Sequence, residues 1–145
     1  YMILGTLRSQ LLYPSQDRKT SAQELREVLG VVNLPNLIDQ CGGLDAAFDF
    51  GKVLSVGEQQ RLAIARVLLA RPRYVMLDEA TSALDTENEA RLYHALRSSQ
   101  TTLVSVSHHP ATLQYHEQVL ELRGNGEFRL HRAASYVFNQ DFAVE

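Results

Sequence analysis

Four short stretches place residue types at spacings that suit phosphate chemistry. Ser55 and Gly57 open an apolar segment that begins Leu54-Ser55-Val56-Gly57-Glu58-Gln59-Gln60-Arg61. Asp78 and Glu79 are adjacent carboxylates at the end of the apolar run Tyr74 to Leu77. Asp85 closes the turn Ser82-Ala83-Leu84-Asp85, and His108 follows a second apolar run, Thr102 to Val106. A helix start carries unpaired amides and partial positive charge, so Ser55 and Gly57 suit a phosphate, the glycine letting it come close to the backbone. Consecutive strand residues point opposite ways, so Asp78 and Glu79 suit two tasks, one at a metal ion and one at a water. Each residue also has a plainer reading. Ser55 and Glu58 could simply cap a core helix, the two carboxylates could be solvated acids at a strand end, Asp85 could be the next helix's N-cap, and His108 could be structural.

These residues need elements to hold them. Ser55-Val56-Gly57-Glu58 has capping-box spacing, and Leu62, Ala65, Leu68 and Leu69 predict the buried stripe of a helix over 57–70 that Arg71-Pro72 stops. Tyr74 to Leu77 and Thr102 to Val106 read as strands buried on both faces. Between them Thr86 to Glu89 starts a helix carrying Ala90, Leu92, Tyr93 and Leu96, so a right-handed crossover and a parallel pair are expected. Gln118 to Leu122 and Glu127 to Leu130 flank Gly124-Asn125-Gly126, which predicts a closing hairpin at the sheet edge. The part before Ser55 reads as helical throughout. Thr6 is a helix cap ahead of the Tyr13-Pro14 break, a capping box at Ser21 to Glu24 starts a helix that Gly30 closes with Leu25, Val28 and Leu29 on one face, and a short helix runs from Pro35 to Cys41-Gly42-Gly43.

The 145 residues suffice for one domain burying roughly 70% of its unfolded surface. With 45% apolar and 21% charged residues the chain is an ordinary globular sequence, and a net charge of -3 with no basic run argues against nucleic acid as a partner. The single cysteine, Cys41, excludes an internal disulfide framework and reads as structural, and with His94, His116 and His131 at no ligand spacing a zinc site is not expected. No apolar run reaches the roughly 18 residues of a membrane span, Arg66 breaking the best candidate near Ala63 to Ala70. The opening Tyr1-Met2-Ile3-Leu4 starts inside what reads as a structured segment, and the chain is expected to be a piece of a longer one.

Together the motifs resemble those of the ABC-type ATPase domain. LSVGEQQR resembles the signature motif, YVMLDE the Walker B strand, SALD the D-loop, and His108 in VSVSHHP the switch histidine. YMILGTLRSQLLYP and LQYHEQVLEL resemble most the branch with peroxisomal fatty-acyl transporters and their bacterial relatives. The resemblance implies an α/β fold, part of a P-loop NTPase: a helical subdomain over 1–60, the Walker B to switch-histidine half of the core over 61–132, a mainly parallel sheet ending in a hairpin, and a tail over 133–145. It implies ATP and Mg²⁺ as ligands, with Asp78 holding Mg²⁺ through water, Glu79 deprotonating the attacking water, His108 on the γ-phosphate, and Ser55 and Gly57 reaching the ATP of a partner subunit. Asp85 would lie at the dimer interface. Val56 and Glu58 depart from the commonest signature, which has glycine and glutamine there, so no ribose contact is carried to Glu58. The implied partners are a second nucleotide-binding domain and a membrane domain upstream in the same chain, on the cytoplasmic face of a membrane, a bacterial inner membrane ahead of a peroxisome.

One required element is missing. The only Gly-Lys pair, Gly51-Lys52, has Val53 where a phosphate loop needs a hydroxyl and Ala46 where it needs its first glycine. Alone, the chain is not expected to hydrolyse ATP. Three other readings stay open: a lobe of a DNA-repair or chromosome-organising ATPase, against which the absence of heptads before Ser55 counts; a serine hydrolase built on Ser55, Asp78 or Asp85, and His108, which lacks the first glycine of the nucleophile elbow; and a non-catalytic ATPase-like module, against which Glu79 counts.

Overall fold

The computed structural model describes residues 2–15 and 17–138, so Tyr1 of the opening segment and residues 139–145 of the tail lie outside the described residues. The chain divides into two compact units, Tyr1–Ser105 and Val106–Glu145.

In the first unit the chain makes β1 (Gly5–Thr6), α1 (Leu7–Leu12), α2 (Ala22–Val31), α3 (Leu37–Gln40), β2 (Ala47–Phe48), α4 (Phe50–Val53), α5 (Val56–Ala70), β3 (Tyr74–Asp78), α6 (Thr86–Ser98) and β4 (Thr102–Val106), the last residue of β4 opening the second unit. The longest helix, α5, is the hub and packs on α1, α2 and α6. Its stripe at helical spacing, Leu62, Ala65 and Leu69 with Ile64, is buried, as are Leu7 and Leu11 of α1, Leu25 and Leu29 of α2, and Leu92 and Leu96 of α6. Each such leucine contributes about 1.5–3 kcal/mol through burial. Leu68, placed in the same stripe by its spacing, is only half-buried. Arg66 crosses to α1 and donates to the Gln10 carbonyl at 2.7 Å, giving a buried polar residue a partner in the core.

The helix ends follow local chemistry. Thr6 and Ser9 form a reciprocal capping box at α1. At α2 only half of the expected box forms: Ser21 Oγ accepts from the Glu24 amide at 3.1 Å, while the Glu24 carboxylate turns toward Arg18, 3.6 Å away. Gly30 does not close α2. The helix runs to Val31, and the left-handed position falls on Asn33 (φ 60°), with the Leu34 amide reaching back to the Leu29 carbonyl at 2.8 Å. Asparagine tolerates that conformation better than most residues, so the glycine is free to stay helical. Pro35 lies in the turn before α3, whose first residue is Leu37. The front part is not wholly helical either. The two-residue strands β1 and β2 pair antiparallel, Gly5 with Phe48 and Thr6 with Ala47, a pairing too short to leave an alternating pattern.

β3 and β4 are hydrogen-bonded neighbours. The Thr102 amide bonds the Arg73 carbonyl at 3.0 Å and Thr101 Oγ1 the Pro72 carbonyl at 2.8 Å, so the two strands start side by side and run the same way, as the crossover through α6 requires. Their expected burial on both faces is corrected by the structure. Leu77 is 4% exposed, but Tyr74 is 61%, Met76 73%, Val104 47% and Val106 53%. Side chains alternate across a strand, and among the described residues only one side of this pair is covered.

The second unit carries a 3₁₀ turn at Pro110–Tyr115, then β5 (Gln118–Gly124) and β6 (Glu127–Arg132), and a second 3₁₀ turn at Ala133–Ser135. β5 and β6 pair antiparallel from Gln118↔Arg132 to Leu122↔Phe128, with an irregularity where Gly124 meets Glu127. Gly124, Asn125 and Gly126 all take positive φ, as the Gly-Asn-Gly sequence predicts for a tight hairpin. Cys41 is buried, and burial raises its thiol pKa, which fits a structural residue.

Candidate functional site

Ser55 stands at the N-cap of α5 in a complete capping box. Its amide and hydroxyl both donate to Glu58 Oε2, at 2.9 and 2.7 Å, and the Glu58 amide donates back to Ser55 Oγ at 3.3 Å. The hydroxyl and amide of Ser55 hold the Glu58 carboxyl below the ordinary glutamate range, with Arg61 adding attraction. Both readings of Ser55 are thus physically compatible: it caps a core helix and remains exposed at the positive end of a fifteen-residue dipole. The nucleophile-elbow reading loses its geometry, because α4 and not a strand leads into Ser55, and its hydroxyl is donated to a carboxylate.

Gly57, in the first turn of α5, lies against the turn that follows β3. A Cβ at Gly57 would sit 3.1 Å from the Ala83 carbonyl oxygen, so a side chain there would push the turn back by a few tenths of an ångström. This contact brings the head of α5 and the Ser82–Asp85 turn together. Gln60, one helical turn on, grips the same segment: its Nε2 donates to the Glu79 carbonyl and to Ser82 Oγ, each at 3.2 Å, and its Oε1 accepts from the Ala83 amide at 3.1 Å.

Asp78 ends β3 exposed, and Glu79 follows half-buried with φ 45°. A left-handed glutamate costs on the order of 1–3 kcal/mol and persists only where its surroundings fix it. Here both lone pairs of its carbonyl are engaged, by Gln60 Nε2 and by the Ser82 amide at 3.1 Å. An exposed carboxylate ending a strand fits a hydrated divalent cation, and a second carboxylate set on a fixed backbone fits a water.

Asp85 is the N-cap of α6, as its alternative reading had it. Its carboxylate accepts from the Asn88 amide and from Asn88 Nδ2, each at 2.8 Å, and these bonds hold its pKa below the ordinary aspartate range. Asn88 also accepts from Asn33 Nδ2 at 2.9 Å, linking the end of α2 to the turn. Beneath it, buried Thr81 donates to the buried Glu89 carboxylate at 2.8 Å. Ser55, Gly57, Glu79 and Asp85 are therefore carried by one connected piece of the first unit, with Asp78 leading into it.

His108 belongs to the second unit, two residues beyond β4, and is exposed with its ring edge-on to His109 at 4.7 Å. The strand before it is not buried as expected, since Val104 and Val106 face outward.

Sequence reasoning missed Gln60, Asn33 and the Thr81–Glu89 pair. For Gln60 a signal existed: it lies three residues after Gly57, on the same helix face, so a polar side chain there faces whatever the glycine approaches. Thr81 and Glu89 gave none, because nothing in a sequence marks a glutamate eight residues downstream as buried.

Residues 6–82, more than half the chain and including the α5 head and the end of β3, match the family described as ABC transporter. Over 130 residues the chain is 52% identical to an uncharacterised ABC transporter ATP-binding protein of Synechocystis, an overlap of 90% of this chain and 20% of that protein. It is 41% identical over 136 residues to ATP-binding cassette sub-family D member 3 of Mus musculus, covering 89% of this chain and 21% of that protein. It is 37% identical over 148 residues to the chloroplastic ABC transporter D family member 2 of Arabidopsis thaliana, covering 84% and 21%. The chain spans about a fifth of the length of these curated relatives. Both the family and the branch read from the motifs are borne out, and the chain belongs to the ABC transporter family.

Proposed function

We propose that this chain is the C-terminal part of the ATP-binding and hydrolysing domain of a sub-family D-like ABC transporter, and that the complete protein couples ATP hydrolysis to movement of a substrate across a membrane. The observation that carries the reading is the connected piece in which the α5 head, the strained Glu79 and the Asp85 turn are held by side-chain hydrogen bonds. In this reading residues 1–60 are the helical subdomain and 61–132 the Walker B to switch-histidine half of the core.

The roles follow from the local chemistry. Glu79 orients the attacking water and takes its proton. Asp78 would hold Mg²⁺ through water, and the ion would supply charge neutralisation at the phosphates. Ser55 and Gly57 offer the amides and hydroxyl of the α5 head to the γ-phosphate of ATP held by a second nucleotide-binding domain. To do so, the Ser55 hydroxyl turns its proton away from Glu58. Asp85 lies on the dimer interface and His108 donates to the γ-phosphate. A membrane domain precedes this part in the same chain, and the ATPase part works on the cytoplasmic face. That membrane is taken as a bacterial inner membrane ahead of a peroxisome. The protein has no role on nucleic acid.

The test is ATP turnover by the complete protein in lipid vesicles compared with turnover by the 145-residue chain. Magnesium-dependent hydrolysis by the first and none by the second is expected. Hydrolysis by the isolated chain, or none by the complete protein, would overturn the reading.

A further inference from the structure

We infer that Gln60 is a positioning residue: from the helix that presents Ser55 and Gly57 it fixes the backbone of Glu79 and of the Ser82–Ala83 turn, so that the partner-facing and water-facing parts of the site move as one piece. The inference deepens the proposed function and rests on it for the role of Glu79.

The argument begins with donor and acceptor capacity. A glutamine amide offers two N–H donors and one acceptor oxygen on a single plane. The three partners around Gln60 ask for that combination: the Glu79 carbonyl can only accept, the Ala83 amide can only donate, and Ser82 Oγ takes the remaining N–H. The orientation of the amide is fixed by these partners, since exchanging its oxygen and nitrogen would set oxygen against a carbonyl and NH₂ against an N–H. Glutamate keeps the acceptor and loses both donors. Lysine keeps donors and loses the acceptor. Leucine keeps the volume and loses both.

The position matters as much as the chemistry. Gln60 spans 19 residues to Glu79 and 23 to Ala83, so it joins two separately formed segments, the α5 head and the β3–α6 turn. At one end it holds a glutamate in the left-handed region, φ 45°. At the other it holds the amide of Ala83, the residue whose carbonyl oxygen would lie 3.1 Å from a Cβ at position 57. The bond from the Ser82 amide to the Glu79 carbonyl lies within the turn itself and does not tie the turn to α5. Removing Gln60 takes away the tie from α5 to the Glu79 backbone and loosens the position from which its carboxylate reaches a water.

The experiment uses the complete transporter with Gln60→Leu, Gln60→Glu and Gln60→Lys, reading kcat and KM for ATP together with hydrogen exchange at the Ala83 amide. All three variants are expected to lower kcat by at least about tenfold, because misplacing a catalytic group costs rate, while KM stays within about threefold because ground-state binding is left alone. Exchange at Ala83 is expected to rise by at least about tenfold in the leucine and lysine variants and to stay slow in the glutamate variant, which keeps the acceptor. The inference is overturned if Gln60→Glu turns over like the parent, or if Ala83 exchange is unchanged in Gln60→Leu. A merely structural role would lower turnover and raise KM together, with exchange rising alike in all three. Should the assignment of Glu79 fail instead, Glu79→Gln would turn over normally while the exchange pattern still reported the clasp.

Discussion

α5 buries Leu62, Ile64, Ala65 and Leu69 to 4% exposure or less, whereas β3 and β4 leave Tyr74, Met76, Val104 and Val106 between 47% and 73% exposed. Both segments are apolar, and both were read from the sequence as core. The difference lies in what completes each element. A helix satisfies its own backbone and needs one neighbouring layer for its stripe, which α1, α2 and α6 supply within the same unit. A strand of a parallel sheet needs further strands beside it and layers on both faces, and its apolar run registers the whole assembly in which it evolved. The hairpin repeats the lesson: Leu120 and Leu122 of β5 and Phe128 and Leu130 of β6 are 58% to 73% exposed. The part of the proposed site made by Ser55, Gly57, Glu79 and Asp85 is tied to the first kind of region. Its hydrogen bonds are made by residues of α5, the turn after β3, α6 and Asn33, so its geometry is set within the first unit.

The comparison makes its largest prediction at the core of the helical layer. Leu62→Ala is expected to cost about 2–5 kcal/mol in urea unfolding of the chain, while Met76→Ala is expected to stay within about 0.5 kcal/mol. Equal losses would show that the strand face is covered after all. In the complete protein the same Met76→Ala change is expected to become costly, since the proposed remainder of the sheet lies over it.

The next effect is at the buried pair beneath the turn. Thr81→Val removes the hydroxyl that meets the Glu89 carboxyl group at 2.8 Å and leaves a buried polar group short of a partner, for about 1–3 kcal/mol. Thr81→Ser keeps the hydroxyl and is expected to lose less than half of that. No difference between the two would mean that the pair does not hold the turn.

These outcomes bear on what the sequence made legible. Ser55, Thr6 and Asp85 were readable as caps because capping is a contact between residues three apart, and all three cap as expected. The order strand, helix, strand and the closing hairpin were readable from periodicity and from Gly124-Asn125-Gly126. The end of α2 was misread because either Gly30 or Asn33 can take the left-handed position, and the hydrogen bond from Leu34 to Leu29 decides between them. Strand burial was misread because apolar content reports what a strand is adapted to meet. The Gln60 clasp and the Thr81–Glu89 pair depend on segments brought together by folding, and spacing along the chain does not encode them.

The caps give a smaller effect with a defined pH dependence. Ser55→Ala is expected to cost about 0.5–2 kcal/mol. The carboxyls of Glu58 and Asp85 are both held below their ordinary values by the cap hydrogen bonds, so their contribution is complete above the unfolded values near about 4 and is lost as pH falls through the lower folded values. Unfolding followed from about pH 5 to pH 3 should therefore show stability falling, and less steeply in Glu58→Gln. A pH-independent profile in the parent chain would contradict the caps.

The smallest effect concerns the acid at Glu58. Removing its charge from the head of α5 in the complete protein is expected to favour an approaching phosphate by about 0.3–1 kcal/mol, a two- to fivefold lower KM for ATP in Glu58→Gln. A higher KM would place the phosphate elsewhere.

The most direct test of the central claim is turnover and nucleotide trapping by the complete protein carrying Glu79→Gln. With Glu79 as the base, MgATP binding is retained while kcat falls by about 10²–10⁴-fold, and the two nucleotide-binding domains accumulate closed on unhydrolysed ATP. Turnover at the parent rate would contradict the assignment and leave the strained backbone at Glu79 without the role proposed for it.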